Sequence, residues 1–217
     1  MCSLPSSHQR AGYTLIELLV VIGLIVLISS FIIFPLSRDR GPRLAAGRQV
    51  AIEMVQAARS QAILRAGSGI DPHFATEASA MLIVHNDPTD WERYRRILGI
   101  IYYDASVNGW IAGSPSVILP RGIYFAGNIE REGGLDIVYL DYPSVVPDAD
   151  LTEGGNSWYV YSFKSTGESL SREARFILRS GFYNPKTSQW ESNNPHAFSG
   201  FMINKLGGII ELQEKIL

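Results

Sequence analysis

The feature that most limits what this chain can fold into is an apolar run near its N-terminus. Residues 13–34 read YTLIELLVVIGLIVLISSFIIF, a run with a single charged side chain, that of Glu17. A helix needs about 20 apolar residues to cross the hydrocarbon core of a bilayer. A helix buried in a globular core is rarely apolar on every face over this length. The run therefore predicts a transmembrane helix over residues 13–35, ended or kinked at Pro35.

Two properties of the run need more than a membrane anchor to explain them. A carboxylate such as Glu17 costs about 2.5–3.5 kcal/mol at the centre of a spanning helix, so it should have a partner. No Lys or Arg lies between Tyr13 and Ser37 to supply one. Arg10 is the only Lys or Arg before the run, whereas several arginines follow it (Arg38, Arg40, Arg43 and Arg48). The positive-inside rule alone would place the C-terminal side in the cytoplasm.

Two common N-terminal signals fit the sequence poorly. A secretory signal peptide has an apolar region of about 7–15 residues and then small residues at its cleavage site. This run is longer, and its end at residues 31–34 is Phe-Ile-Ile-Phe. A lipoprotein signal requires an apolar stretch before its cysteine, but only Met1 precedes Cys2, the single cysteine of the chain. A mature chain that begins at Tyr13 could form no disulfide.

The string QRAGYTLIELLVVI at residues 9–22 resembles the processing site of type IV pilins and type II secretion pseudopilins. The resemblance implies that a prepilin peptidase cuts after Gly12 and removes residues 1–12 as a leader. Tyr13, where the family usually has Phe or Met, would become the N-methylated terminus, and Glu17 would be the fifth mature residue. In a filament, the new amine of Tyr13 would pair with Glu17 of a neighbouring subunit, so that neither charge is buried alone.

The same resemblance implies a location and a set of partners. It places the chain as a single-pass protein of the bacterial inner membrane with its C-terminal domain in the periplasm, against the orientation that the arginines favour. The partners it implies are the prepilin peptidase, other pilin or pseudopilin subunits, an inner-membrane assembly platform and membrane lipid.

The sequence after the run predicts a second, amphipathic helical stretch over residues 36–66. Gly41-Pro42 should interrupt the helix or start a new one, and residues 44–66 have helical periodicity. Apolar residues at three- and four-residue spacing form one stripe, made of Ala51, Met54, Val55, Ala58 and Ala62. Residues 67–69, Gly-Ser-Gly, should end this helix.

Short runs of β-branched and aromatic residues follow, separated by turn signals. They predict strands at Met81–His85, Ile97–Tyr103, Ser116–Leu119, Leu135–Leu140, Trp158–Lys164, Ala174–Leu178, Phe201–Asn204 and Gly208–Leu212. We expect an α+β, pilin-like fold in which one long helix packs on an antiparallel β-sheet. Residues 67–217 would form its extracytoplasmic β-rich domain.

Three segments, one in the amphipathic helix and two in the β-rich region, resemble the GspH and FimT-like branch of pseudopilins. Residues 56–65 resemble an "ARSxAI" segment, and Tyr161–Gly167 resembles an "F-x-x-x-G" hairpin. Phe201–Ile210 is similar to the last hairpin of that domain. The hairpin matches gain weight from their order after the helix.

Other candidate sites have simpler interpretations. Asp148, Asp150, Thr152 and Glu153 resemble part of a calcium loop but lack its full spacing, so residues 141–156 are interpreted as a solvated acidic insertion. The histidines show no metal-ligand spacing, and no catalytic or nucleotide-binding motif occurs. We expect neither enzymatic activity nor a cofactor. An aromatic group (Tyr102, Tyr103, Trp110, Tyr124 and Phe125) could form an interaction face, but such residues more often fill a core.

These observations predict a minor pseudopilin-like subunit of a type II secretion pseudopilus. The alternative is a FimT-like minor pilin of a type IV pilus, acting in DNA uptake or adhesion. Loss of Arg10 with the leader would leave 18 Lys and Arg against 21 Asp and Glu, and the last seven residues carry more acid than base. Because binding DNA requires a basic surface, no nucleic acid is expected as a partner. A membrane-anchored enzyme that uses the same export route is a further alternative.

Overall fold

The computed structural model describes residues 15–16, 18–24, 40–65, 78–113, 116–127, 136–145, 151–170 and 174–212. The chain divides into two compact units, Met1–Arg40 and Gly41–Leu217. In the first unit, residues 15–16 and 18–24 are helical (α1), and their apolar side chains, from Leu15 to Leu24, are exposed. Within the described ranges, no helix is both long enough and apolar enough to cross a membrane.

Helix α2 spans Arg40–Leu64 and lies within the predicted helical stretch over residues 36–66. Pro42 lies in its first turn, where a missing backbone N–H leaves no intrahelical bond unmade. Gly41 and Pro42 therefore both fit in the first turn of α2. All members of the predicted apolar stripe are buried, which confirms the predicted face: Ala51, Met54, Val55, Ala58 and Ala62.

The described residues form two antiparallel sheets. Their strands are β1 (Ala78–His85), β2 (Ile97–Asp104), β3 (Gly109–Ala112), β4 (Val117–Ile118), β5 (Ile123–Phe125), β6 (Ile137–Leu140), β7 (Asn156–Lys164), β8 (Ala174–Asn184), β9 (Gln189–Ser192), β10 (Ser199–Ile203) and β11 (Ile209–Leu212). A six-stranded sheet has the order β3-β2-β1-β7-β6, with β4 paired to β2. A five-stranded sheet has the order β11-β10-β8-β5, with β9 paired to β8. The predicted α+β class is confirmed, with two sheets where one was expected.

All of the predicted strands are found, with small shifts at their ends, and three further strands were missed. The missed strands are β3, β5 and β9. Strand β8 is also longer than expected, because it pairs in turn with β10, β5 and β9 along its length. The added pairing beyond Leu178 stabilises a segment that contains Gly181 and has no alternating pattern of its own.

Two apolar clusters fill the second unit. The first lies between α2 and both sheets, and its centre is aromatic, with Phe176 and Phe201 stacked at a centroid distance of 5.1 Å. The second covers the opposite face of the six-stranded sheet and includes Trp110, Val138 and Trp158. Both faces of this sheet are therefore buried, which explains why every residue of β1 is buried.

Candidate functional site

The predicted processing and assembly residues, Gly12, Tyr13 and Glu17, lie outside the residues that the structure describes. The structure does describe most of the predicted amphipathic helix over residues 36–66, as α2. The candidate site is therefore the set of contacts that attach α2 to the sheets, together with the surface that α2 leaves free.

The central attachment of α2 is Arg59, which lies in the ARSxAI-like segment. Its Nε donates a hydrogen bond of 3.0 Å to the carbonyl oxygen of Gly167, in the turn that follows β7. Gly207, in the turn between β10 and β11, lies against the same place, because a Cβ added to it would meet the Gly167 carbonyl oxygen and the Arg59 side chain. The fold thus brings the three GspH-like segments of the sequence together at one junction.

Both glycines of this junction have backbone conformations that favour glycine. The φ angle of Gly167 is 81° and that of Gly207 is 75°. A Cβ on Gly167 would lie 2.8 Å from Cδ1 of Ile63 and 3.1 Å from Nε of Arg59. The junction therefore requires glycine at both positions, for conformation and for space.

Two more arginines attach the ends of α2. Near its start, Nη1 of Arg48 lies 3.2 Å from Oε2 of Glu211 on β11. After its end, Nη1 of Arg65 lies 3.0 Å from Oδ2 of Asp104 on β2. The guanidinium of Arg65 also lies 3.6 Å from the centre of the Tyr102 ring, a cation–π contact. Arg48, Arg59 and Arg65 therefore contact the sheets at three positions along the helix axis, which together span roughly 25 Å of its length.

Hydrogen bonds from Ser106 favour the ionised form of Asp104, which is the form that pairs with Arg65. The hydroxyl and the backbone N–H of Ser106 both donate hydrogen bonds to Oδ1 of Asp104, at 2.6 Å and 2.9 Å. These two bonds, and then the charge of Arg65, lower the pKa of the Asp104 carboxyl below its ordinary value. The carboxylate stays ionised and available to Arg65 down to acidic pH.

The face of α2 that turns away from the sheets is exposed and carries small or polar side chains. It is formed by Gln49, Glu53, Gln56, Ala57 and Ser60. Gln49 donates a hydrogen bond to Glu53 one turn away, at 3.0 Å.

The predicted aromatic group fills the core. Tyr102, Tyr103, Trp110, Tyr124 and Phe125 are each at most 9% exposed, which confirms the core interpretation over an interaction face.

The exposed aromatic residues lie elsewhere. Trp91, in the loop between β1 and β2, is 54% exposed and stacks on Tyr183 of β8 at a centroid distance of 6.1 Å. Trp190 of β9 donates a hydrogen bond of 2.9 Å from Nε1 to the carbonyl oxygen of Tyr94. These contacts join the β1–β2 loop to the β8–β9 hairpin. Strand β9 was not predicted from the sequence, so these contacts were not expected.

The described residues contain no group of three or more His, Cys, Asp or Glu side chains that could hold a metal ion. Asp148 and Asp150 of the acidic loop lie outside the described residues. His85 lies in strand β1, as predicted, and is buried, with its ring packed edge-on against Trp158 at a centroid distance of 4.8 Å. Burial lowers the pKa of His85, and the nearby carboxylates of Asp90 and Asp87 partly oppose that shift.

Comparison with known proteins identifies the N-terminal segment. Residues 7–33 match the family model described as the prokaryotic N-terminal methylation motif, which confirms the motif predicted at residues 9–22. Among solved structures, the chain is similar to the minor pseudopilin EpsH from the type 2 secretion system of Vibrio cholerae. That similarity has 12% identity and a TM-score of 0.41 and covers 80% of this chain and 98% of that chain. No curated protein sequence matches the chain.

Proposed function

We propose, from the premise that this chain carries the N-terminal methylation segment of the type IV pilin and pseudopilin family, that it is a minor pseudopilin-like subunit of a type II secretion pseudopilus. The match over residues 7–33 is the observation that carries the proposal. The role is structural rather than enzymatic. Prepilin peptidase cuts after Gly12, Tyr13 becomes the methylated terminus, and an inner-membrane assembly platform adds the mature chain to a filament.

The proposed organisation follows from that cleavage. Residues 1–12 are the leader, residues 13–35 cross the inner membrane once, and residues 36–66 continue the helix. Residues 67–217 form the domain in the periplasm. In the filament, the carboxylate of Glu17 pairs with the amine of Tyr13 on a neighbouring subunit, because an isolated charge in an apolar filament core is costly.

The contacts of α2 support a mechanical role. Extraction of a subunit from the membrane pulls along its helix, and a helix can move a domain only if it is firmly attached to it. Arg48, Arg59 and Arg65 attach α2 to both sheets. The buried stripe between them adds the apolar contact that these polar bonds need in order to persist in water.

Replacement of Gly12 tests the proposal. The Gly12→Val variant should keep its leader, and mass spectrometry of the membrane fraction should find the full-length chain where the wild type shows a chain that begins at a methylated Tyr13. Normal maturation of this variant would falsify the cleavage assignment.

The pairing of Glu17 is tested separately. The Glu17→Ala variant should be processed normally but should enter filaments poorly, because the neighbouring amine loses its partner. Cross-linking to a major subunit measures incorporation. Wild-type cross-linking in a processed Glu17→Ala chain would rule out the pairing and leave the cleavage assignment intact.

A further inference from the structure

The outer face of the five-stranded sheet differs from every other sheet face in the described residues, because no described element covers its centre. Along β8 it presents Arg175, Ile177 and Arg179, whose neighbours Phe176 and Leu178 point into the core. Strands β10 and β11 add Met202, which the register places opposite both Arg175 and Ile210. Ile210 is 47% exposed, and the other side chains are half-buried. The face is thus a mixture of apolar and cationic groups.

The two arginines of this face have no carboxylate partner within the described part of the chain. Neither Arg175 nor Arg179 forms an ion pair with a described acidic residue. The Nε of Arg179 is buried and has no hydrogen-bond acceptor. A buried donor without an acceptor is costly, more so when it carries charge. Among the described residues, the face therefore lacks an anionic group that would complement it.

The centre of the face is closed at Gly200, which is buried. Gly200 lies between Ile177 and Leu212 in the register. A Cβ on Gly200 would lie 2.6 Å from the carbonyl oxygen of Phe176, so no side chain can fill this position. The backbone of β8 occupies the space that a side chain at Gly200 would need, so the apolar contact surface here is formed by Ile177 and Leu212 on either side of it.

We propose that this outer face binds an acidic amphipathic helix of a partner protein. Arg175 and Arg179 are four residues apart on a strand, so their Cα atoms are separated by about 13 Å. A helix advances about 12 Å in eight residues, so carboxylates at positions i and i+8 match both arginines. An apolar side chain between those carboxylates would lie against Ile177, midway between the two arginines. The inference holds whether or not the chain joins a filament.

The composition of the face favours a protein over a nucleic acid. Single-stranded nucleic acid is bound by a continuous cationic groove with aromatic side chains on which bases stack. This face has two arginines around apolar Ile177, Met202 and Ile210. The aromatic ring opposite Arg179, that of Tyr124, is buried and already stacked on Trp190, so it offers no free surface to a base. Apolar contact flanked by charge pairs is the chemistry of a protein interface.

The test uses the full-length chain in its own cells, with a photoreactive benzoylphenylalanine in place of Met202. Irradiation should join it to a partner protein, and mass spectrometry should locate the adduct in a segment with two carboxylates eight residues apart. The Arg175→Glu/Arg179→Glu double variant should lower the adduct yield at least about tenfold, because both charge pairs become repulsive. The matched control is Arg121→Glu, an exposed arginine outside this face, which should leave the yield unchanged.

Charge reversal on the partner separates lost binding from misfolding. Replacing the two carboxylates of the joined segment with lysine should restore the adduct with the double variant. The absence of any adduct would overturn the proposal, as would an adduct with DNA or lipid, or a yield that the double variant leaves unchanged. A double variant that melts at the wild-type temperature yet is not rescued by the lysine partner would also overturn it.

Discussion

The Nε of Arg59 donates a hydrogen bond of 3.0 Å to the carbonyl oxygen of Gly167, across 108 residues of sequence. This bond joins the middle of α2 to the turn after β7, and the turn between β10 and β11 packs on it through Gly207. The helix is therefore tied to both sheets at one point. Stability of the second unit should depend strongly on this junction.

Loss of the Arg59 side chain should weaken the whole second unit. We expect Arg59→Gln to lower the free energy of unfolding by about 1.5–3 kcal/mol, the range for a hydrogen bond from a charged donor. Urea unfolding of the detergent-solubilised full-length chain, followed by tryptophan fluorescence, measures the change. Gln56→Ala, an exposed position on the same helix, should stay within about 0.5 kcal/mol of the wild type. Equal values for both variants would show that the bond contributes nothing.

A methyl group at Gly207 should be more harmful than its backbone angle alone predicts. Gly127 has a similar φ of 84°, but a Cβ there meets nothing within 4 Å, so Gly127→Ala isolates the conformational cost of about 1–2 kcal/mol. Gly207→Ala adds a collision with the Gly167 carbonyl, which should cost about 1–3 kcal/mol more. Thermal unfolding of both variants provides the comparison. Equal melting temperatures would mean that the turn can move aside.

Adjacent alanines of α2 should respond oppositely to enlargement. Ala58 is fully buried against the sheets, whereas Ala57 faces solvent. Ala58→Leu should destabilise the chain by about 1–3 kcal/mol, because the extra volume has no space in a packed core. Ala57→Leu should be nearly neutral, since Leu and Ala have similar helix propensity. Circular dichroism melting curves distinguish the two, and a neutral Ala58→Leu would contradict the tight contact of α2 with the sheets.

Because of His85, the stability of the chain should fall as the pH is lowered through the mildly acidic range. Burial lowers the pKa of His85 below the ordinary 6.5, and Arg93 adds to this effect, while Asp90 and Asp87 oppose it. The unfolded chain therefore binds a proton more readily, so the stabilisation is complete above about pH 6.5 and is lost as the pH falls through the folded pKa.

The measurement is the melting temperature between pH 7.5 and pH 5. His85→Phe keeps a ring beside Trp158 but cannot bind a proton, so its melting temperature should fall less than that of the wild type. His196→Gln, at an exposed position, should follow the wild-type curve. A His85→Phe curve parallel to the wild type would rule out the effect.

The amino-acid sequence was sufficient to predict features that depend on local periodicity and on a contiguous motif. The methylation motif occupies one stretch of chain, so no tertiary contact is needed to recognise it. The stripe from Ala51 to Ala62 was predicted correctly because a helix repeats every 3.6 residues wherever it packs. Strands β1, β2 and β7 were found because each has a local run of apolar residues that can be recognised without tertiary contacts.

Only the tertiary structure decided how these elements meet. Strands β3, β5 and β9, which were missed, have three or four residues each, and they are strands because longer neighbours pair with them. The division into two sheets depends on pairings between distant segments, which local propensity does not encode. The junction of Arg59, Gly167 and Gly207 and the outer face around Arg175 and Arg179 arise in the same way. Each depends on strand register, which is set by packing across the whole unit.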